Sequence, residues 1–455
     1  GGVGQAAEQS IQAMAGSAFG PLRSTIAVSH AKQDGYDTDI STSQEVDDTE
    51  LDSVYLRSVL DLPGEHTVSF GGEWSRFERD GLRYYMKKNR IRQGDDNRVG
   101  GYLQYDTGDI GSFSATARVY GNHSEGSWDF SPYANADSNE RDLVQAEIRT
   151  FYQFTPELLV TTGVEGREEK LEGAQMNSGY EGGASEKSGA LFSQLSWNPS
   201  EQFNITGSLR YDDYDSAGNH LTPRLIATFY QQNFKVWASY GKGFRAATLD
   251  ELYGSTTKKQ GKYLYVGNDN LDPEISDSFE IGLEGHTDTI RSSLVFFYND
   301  LEDLIEAHET GSSGGITTFT YANIESAETY GLEFAGGIDL TKNLHFSGHI
   351  TWLQTENKET GYDLATEPEW KGQLKVTWLI PRLSLETQLR YFYFGDCEDG
   401  LGAAIDGYDG VGLHIEKKFG KNYAVYVGVE NLFDEENDYF LQDPVQAYIG
   451  LRYTL

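Results

Sequence analysis

The chain has 455 residues, with 71 acidic against 36 basic side chains for a formal net charge of -35, and it holds 51 Gly, 10 Pro, 29 Tyr, 23 Phe and 7 Trp. A chain this acidic repels phosphates, which excludes nucleic acid as a partner, and its single cysteine, Cys397, excludes a disulfide framework. The aromatics are too many and too evenly spread for disorder, no run approaches the roughly 20 apolar residues of a membrane helix, and no signal peptide opens the sequence, which is expected to be mature or trimmed.

Polar average composition with many aromatics, much Gly and little Pro fits a transmembrane antiparallel β-barrel. Such strands turn apolar side chains to lipid and polar ones to the lumen, and aromatic girdles mark both interfaces. Alternation at period two recurs along the chain. The first strand is expected at about 5–15. Over 67–75, Val68, Phe70 and Trp74 oppose Ser69, Glu73 and Ser75. Over 278–284, Phe279, Ile281 and Leu283 oppose Glu280 and Glu284. Tyr423, Val425, Val427 and Val429 share one face of 423–430, and Ala447, Ile449, Leu451, Tyr453 and Leu455 share one face of the last strand. A soluble sandwich would alternate in the same way, so the connections have to decide.

Short turns lie near 16–21, 62–65, 106–111, 155–157, 198–202, 231–233, 285–289, 340–343, 380–382 and 420–422. Longer polar stretches lie between them, near 33–46, 79–98, 122–139, 170–186, 213–220, 245–275, 300–317, 355–367, 395–408 and 433–443. Strict alternation of short and long connections is how outer-membrane barrels are built, with short periplasmic turns and long extracellular loops. These connections join about 21 strands. Bacterial barrels normally have an even number, so 22 are expected, a size that suits a plugged lumen.

Four segments resemble the TonB-dependent outer-membrane receptors: YGKGFRAATLDELYG (240–254), GNDNLDPEISDSFEIGLE (267–284), ANIESAETYGLEF (322–334) and GVENLFDEENDYF (428–440). The first two are similar to the family's boxes before and after an outer loop, and the last to its penultimate strand. The resemblance implies import of a scarce metal chelate, most simply a ferric siderophore, with cobalamin or haem as relatives' alternatives and a passive pore or adhesin as the rival. It implies an outer-membrane location in a Gram-negative bacterium, a monomer, a plug domain inside the barrel, and a TonB-type energising partner in the periplasm. Residues 1–3 look like the plug-to-barrel junction and 4–455 like the barrel. Plug, TonB-contacting box and first strand are expected to lie outside these residues. The family usually ends in an aromatic, where this chain has Leu455. The haem-uptake branch carries a His between the first two boxes, and residues 248–267 contain none.

The basic stretch 79–98 holds Arg79, Arg83, Lys87, Lys88, Arg90, Arg92 and Arg98, with Tyr84 and Tyr85 beside them. This local reversal of a -35 field could attract an anionic chelate by charge and hold it by aromatic contact. Lipopolysaccharide phosphates and plain solvent are the other readings, and outer-membrane lipid is a partner in any case. With Arg83, Tyr84, Tyr85, Lys87, Lys88, Arg90 and Arg92, Arg245 of the first box completes the expected ligand set. Asp34, Asp37 and Asp39 at short spacing could hold Ca²⁺, with Asp95 and Asp96 completing the shell. Acidic loops are common here, and no cofactor is otherwise required. His345 and His349 share one strand face and read as lumen-facing polar groups. Carboxylates beside Cys397 should raise its thiol pKa, leaving an inert loop thiol. No GxSxG, HExxH, P-loop or CxxC pattern points to an enzyme.

Overall fold

The computed structural model describes residues 8–35, 47–85, 88–131, 137–173, 176–177, 179–180, 182–258, 263–435, 437, 439–440 and 445–453. Its strands run β1 (Glu8–Phe19), β2 (Leu22–Gln33), β3 (Asp48–Asp61), β4 (Thr67–Tyr85), β5 (Lys88–Asp106), β6 (Phe113–Ser131), β7 (Asp137–Thr155), β8 (Leu158–Gly173), β9 (Ala184–Ser200), β10 (Phe203–Tyr214), β11 (Gly218–Gln231) and β12 (Phe234–Arg245). A five-residue helix, α1 (Leu249–Tyr253), and a hairpin of β13 (Ser255–Lys258) and β14 (Tyr263–Val266) follow. Then come β15 (Glu274–His286), β16 (Ile290–Ser313), β17 (Ile316–Thr341), β18 (Leu344–Asn357), β19 (Trp370–Ile380), β20 (Leu385–Phe394), the short pair β21 (Cys397–Glu398) and β22 (Ala404–Ile405), β23 (Tyr408–Phe419), β24 (Tyr423–Glu430) and β25 (Gln446–Tyr453).

One sheet holds 23 of these strands. Within it β13 and β14 are an outer hairpin, and the others form a continuous antiparallel meander from β1 to β25. The strand count read from the sequence therefore holds among the described residues. The first strand runs over Glu8–Phe19 rather than 5–15. A tight turn at Gly20–Pro21 ends it, with Gly20 at φ 58°, a conformation that costs Gly nothing.

Register turns the alternation into faces. Val54 opposes Trp74, which opposes Val99, and Phe70 opposes Leu103; all five are exposed, as a lipid-facing belt requires. Tyr240, Phe279, Tyr298 and Tyr330 lie in register on four consecutive wall strands, an aromatic row at the top of that belt. The other face points to the lumen. There Tyr448 fills the space beside Gly428 and Tyr426 the space beside Gly450; a Cβ at either glycine would sit 2.1–2.2 Å from the ring. The two tyrosines thus pack into their cross-strand glycines, which secures the β24–β25 pair.

Several stretches expected as loops are ladders. A spanning strand needs about 9–11 residues, whereas β4 to β7 have 19 each, β16 has 24 and β17 has 26. Thus 79–85, 88–98, 122–131 and 300–313 are strand that projects beyond the belt. There both faces meet water, so the apolar contrast that marks a strand in the sequence disappears.

Candidate functional site: the extracellular mouth

The outer ends of β12 and β15 meet at one arginine. Arg245 closes β12 opposite Glu274, five residues above Tyr240 and Phe279. Its guanidinium donates to Glu274 at 2.5 and 2.7 Å and to Glu251 at 2.9 Å. The hydrogen bonds that Arg245 donates to Glu274 raise its pKa, against the desolvation that would lower it. Burial alone would raise Glu274, but the hydrogen bonds from Arg245 and from the Ile305 N–H outweigh it and hold the carboxyl below its usual range. Arg245 is therefore a fastening with its charge already spent, not a free anion contact.

From that fastening the chain enters α1 through a capping box. The Thr248 hydroxyl accepts from the Glu251 N–H at 3.2 Å, and the Glu251 carboxylate accepts from the Thr248 N–H at 2.8 Å. Five residues are too few to be stable alone, so packing must hold α1. Leu249 and Leu252 are buried in two apolar clusters, one with Leu171 and Met176, the other with Ala247, Leu271 and Ile305. Tyr253 joins both clusters and lies 4.5 Å from the Tyr180 ring. The Asn177 N–H donates to the Tyr253 carbonyl at 2.8 Å, the Tyr180 hydroxyl to Asp269 at 3.0 Å, and Arg141 on β7 to Asp250 at 2.6 Å. On the other flank β14 pairs in parallel with β17, and Asn323 donates to the carbonyls of Asp272 and Asp303, each at 2.7 Å. The connections after β8, β12 and β16 are thereby tied into one roof. Sequence spacing could not show this, because the partners lie tens of residues apart.

The basic stretch forms the β4–β5 hairpin, with Arg83 opposite Arg90 and Tyr85 opposite Lys88 near its end. Lys87 lies outside the described residues. Lower down the cations are matched. Arg76 binds Asp95 at 2.6 Å, Arg79 reaches Asp96 at 3.5 Å and stacks over Trp128 at 4.3 Å, Arg92 pairs with buried Asp47, and Arg98 lies 3.6 Å from Glu73. Three cations expected to bind ligand, Arg83, Lys88 and Arg90, thus lie near the end of the hairpin by register, with Tyr84 and Tyr85.

Asp95 and Asp96 each pair with an arginine of the facing strand, Arg76 and Arg79. Asp37 and Asp39 lie outside the described residues. The described residues do bring together His30, Glu50 and Asp52, with ligand atoms within 4.8 Å of one another and His30 Nδ1 2.9 Å from Asp52. Register alone creates that trio, since His30 and Asp52 are cross-strand partners. His345 lies 2.5 Å from Asp339. Cys397 is buried, and burial first, then Asp396, raises its thiol pKa, as expected of an inert thiol.

A family model described as TonB dependent receptor-like, beta-barrel matches residues 15–432. The chain belongs to the TonB-dependent receptors. Among this family's members, the ferric enterobactin receptor of Pseudomonas aeruginosa is 26% identical over 432 residues, covering 85% of this chain and 55% of that one. The ferrienterobactin receptor of Escherichia coli K12 is 28% identical over 271 residues, 54% of this chain and 36% of that one. The vitamin B12 transporter BtuB of Vibrio vulnificus is 25% identical over 244 residues, 53% of this chain and 37% of that one. The chain spans about half or less of the length of these relatives. Among solved TonB-dependent receptors, a mutant ferric enterobactin receptor from P. aeruginosa in complex with enterobactin superposes with a TM-score of 0.84 at 18% identity, over 98% of this chain and 78% of that one. The siderophore receptor PirA from the same species gives 0.79 at 19%, over 99% and 77%. The fold is theirs, and the barrel sits in the outer membrane of a Gram-negative bacterium.

Proposed function

We propose that this receptor imports an anionic ferric siderophore, first captured at the tip of the β4–β5 hairpin. The observation that carries the reading is charge placement. In a chain of net charge -35, strand register gathers Arg83, Lys88 and Arg90 near the end of one projecting hairpin with Tyr84 and Tyr85, and the sequence adds Lys87 next to Lys88, while Arg79, Arg92, Arg98 and Arg245 are already matched by carboxylates. The ferric enterobactin receptors among the relatives support the same ligand class. In this reading the protein is a monomeric transporter, not an enzyme. A plug domain and a 22nd strand complete the barrel, a TonB-type protein supplies energy, and lipopolysaccharide and lipid surround it. Ca²⁺ at Asp34, Asp37 and Asp39 would be an accessory to the outer loops and not a requirement.

The vitamin B12 transporters among the relatives favour a second reading, a neutral corrinoid. Salt separates the two, because attraction at the tip acts within about 10 Å at 0.1 M. Replacing Arg83, Lys87, Lys88 and Arg90 by Gln should slow ferric enterobactin uptake most at low ionic strength and leave expression unchanged. Identical salt curves for wild type and variant would remove the anionic reading. Vitamin B12 uptake that is indifferent to salt and to the variant would establish the second.

A further inference from the structure

Two carboxylates and an imidazole converge on the outside of the wall, at the upper edge of the lipid belt. On β2 and β3 the exposed pairs Ile26–Leu56 and Val28–Val54 belong to the lipid face. The next pair on that face toward the outer rim is His30 with Asp52, and beyond it Lys32 with Glu50. The apolar face therefore ends in ligand-type side chains at headgroup level. His30 Nδ1 lies 2.9 Å from Asp52 and 4.0 Å from Glu50. Ligands of a tetrahedral Zn²⁺ site stand about 3.3 Å apart, so these two spacings bracket what such an ion requires. All three residues come from a strand ladder, which fixes their backbones. No cation neutralises the acids: among the described residues, no Lys or Arg pairs with Glu50 or Asp52. Arg76 stands opposite Asp52 but binds Glu78 at 2.5 Å and Asp95 at 2.6 Å. Lys32, opposite Glu50, is exposed and forms no ion pair among the described residues.

A second feature points to the same place. A groove of about 310 Å³ runs down the lipid face from His30 and Asp52, between Ala13, Val28, Val54 and Trp74. An apolar groove that ends in a set of metal ligands has the form of an amphiphile's seat, with chain below and headgroup above. We propose that His30, Glu50 and Asp52 hold a divalent cation of the Zn²⁺ type whose fourth position takes a phosphate of an outer-leaflet lipid, with an acyl chain of that lipid in the groove. Charge makes the ion necessary. Two carboxylates repel a phosphate, and a dication between them reverses the sign. The imidazole selects a metal that accepts nitrogen over Ca²⁺ and Mg²⁺, which take oxygen. Lys32, one pair further out on the same face, adds positive charge on the phosphate side. The proposal takes from the proposed function only that lipopolysaccharide surrounds the barrel.

The test uses the delipidated full-length receptor, first with Zn²⁺ alone and then with lipid A. Heat-modifiable electrophoretic mobility shows that each variant is folded. In competition with a chromogenic chelator, wild type should bind a Zn²⁺ equivalent that His30→Ala and Asp52→Asn bind at least about tenfold more weakly, since loss of even an outer-sphere partner costs about 10–100-fold. His123→Ala, which removes the imidazole of the His123–Asp142 pair, should bind as wild type does. Lipid A should then stay on wild type with Zn²⁺, leave on addition of EDTA, and not be held by His30→Ala. Ala13→Trp, which fills the groove, should keep the ion and release the lipid. Equal Zn²⁺ binding by wild type, His30→Ala and Asp52→Asn, or an equal loss in His123→Ala, would overturn the metal site. Lipid A retention that EDTA or Ala13→Trp leaves unchanged would overturn the bridge to lipid. Siderophore uptake enters neither readout, so failure of the proposed transport would show separately, as a wild type that binds Zn²⁺ and lipid A but does not take up ferric enterobactin.

Discussion

Arg245 shows how a residue that looks like a ligand contact becomes a structural tie once its neighbours are known. Two carboxylates compete for it, and the pair with Glu274 joins the mouths of β12 and β15. Arg245→Ala leaves both acids facing each other; because the site is partly open to water, the expected cost is about 1–2 kcal/mol of local stability. Limited proteolysis within 246–273 should quicken while the heat stability of the barrel stays the same. The pH dependence has a definite sign. The folded-state pKa of Glu274 is depressed, so its contribution is complete above the ordinary carboxylate range of about 4.3 and is lost as pH falls below it. Protease sensitivity of the roof should therefore rise in that acid window, and in Glu274→Gln the acid-dependent rise should shrink. A rise of equal size in that variant would put the titration elsewhere.

At the scale of elements, α1 and the β4–β5 hairpin obtain order by opposite routes. The helix is too short to hold itself and relies on burial: Leu252 is 1% exposed between Ala247, Leu271 and Ile305. Truncation there removes apolar burial and leaves a cavity, a loss of about 2–5 kcal/mol when the site cannot collapse. Leu252→Ala should detach the roof, seen as rapid amide exchange over 249–254, with the wall strands still protected. Unchanged exchange would mean that Arg141–Asp250 and the strand pairings hold the roof without its core. The hairpin is instead a ladder carried past the membrane, laced by Arg76–Asp95 and Arg79–Asp96. Exposed pairs like these are individually weak, and the ladder hydrogen bonds with Trp128 beside Arg79 do more to order the hairpin.

For the whole molecule, alternating connections fix the orientation. The tip of the longest hairpin, β16–β17, should face the medium and the turn between β17 and β18 the periplasm. On intact cells a membrane-impermeant maleimide should label Ser313→Cys and not Lys342→Cys; the reverse pattern would invert the barrel. The two outermost wall strands, β1 and β25, both run from the outer rim to the periplasmic one, so a single strand running the other way would be antiparallel to both. That parity is the reason the proposed barrel has 22 strands.

The sequence by itself determined the wall. Period-two alternation and the segregation of short turns from long polar stretches are local signals, because one face of every spanning strand meets lipid, and water-loving side chains there are excluded residue by residue. From them came the strand number, the order and the two rims. Above the belt that contrast vanishes, and sequence reading took 79–98 and 300–317 for loops although 79–85, 88–98 and 300–313 are ladder. Tertiary structure alone decided which charges were matched. Arg245 with Glu274, Arg92 with Asp47 and Arg141 with Asp250 are separated by 29, 45 and 109 positions. Such pairs come from strand register and from loops folding across the mouth, and a Coulomb partner that distant leaves no mark on either residue's own neighbourhood in the chain.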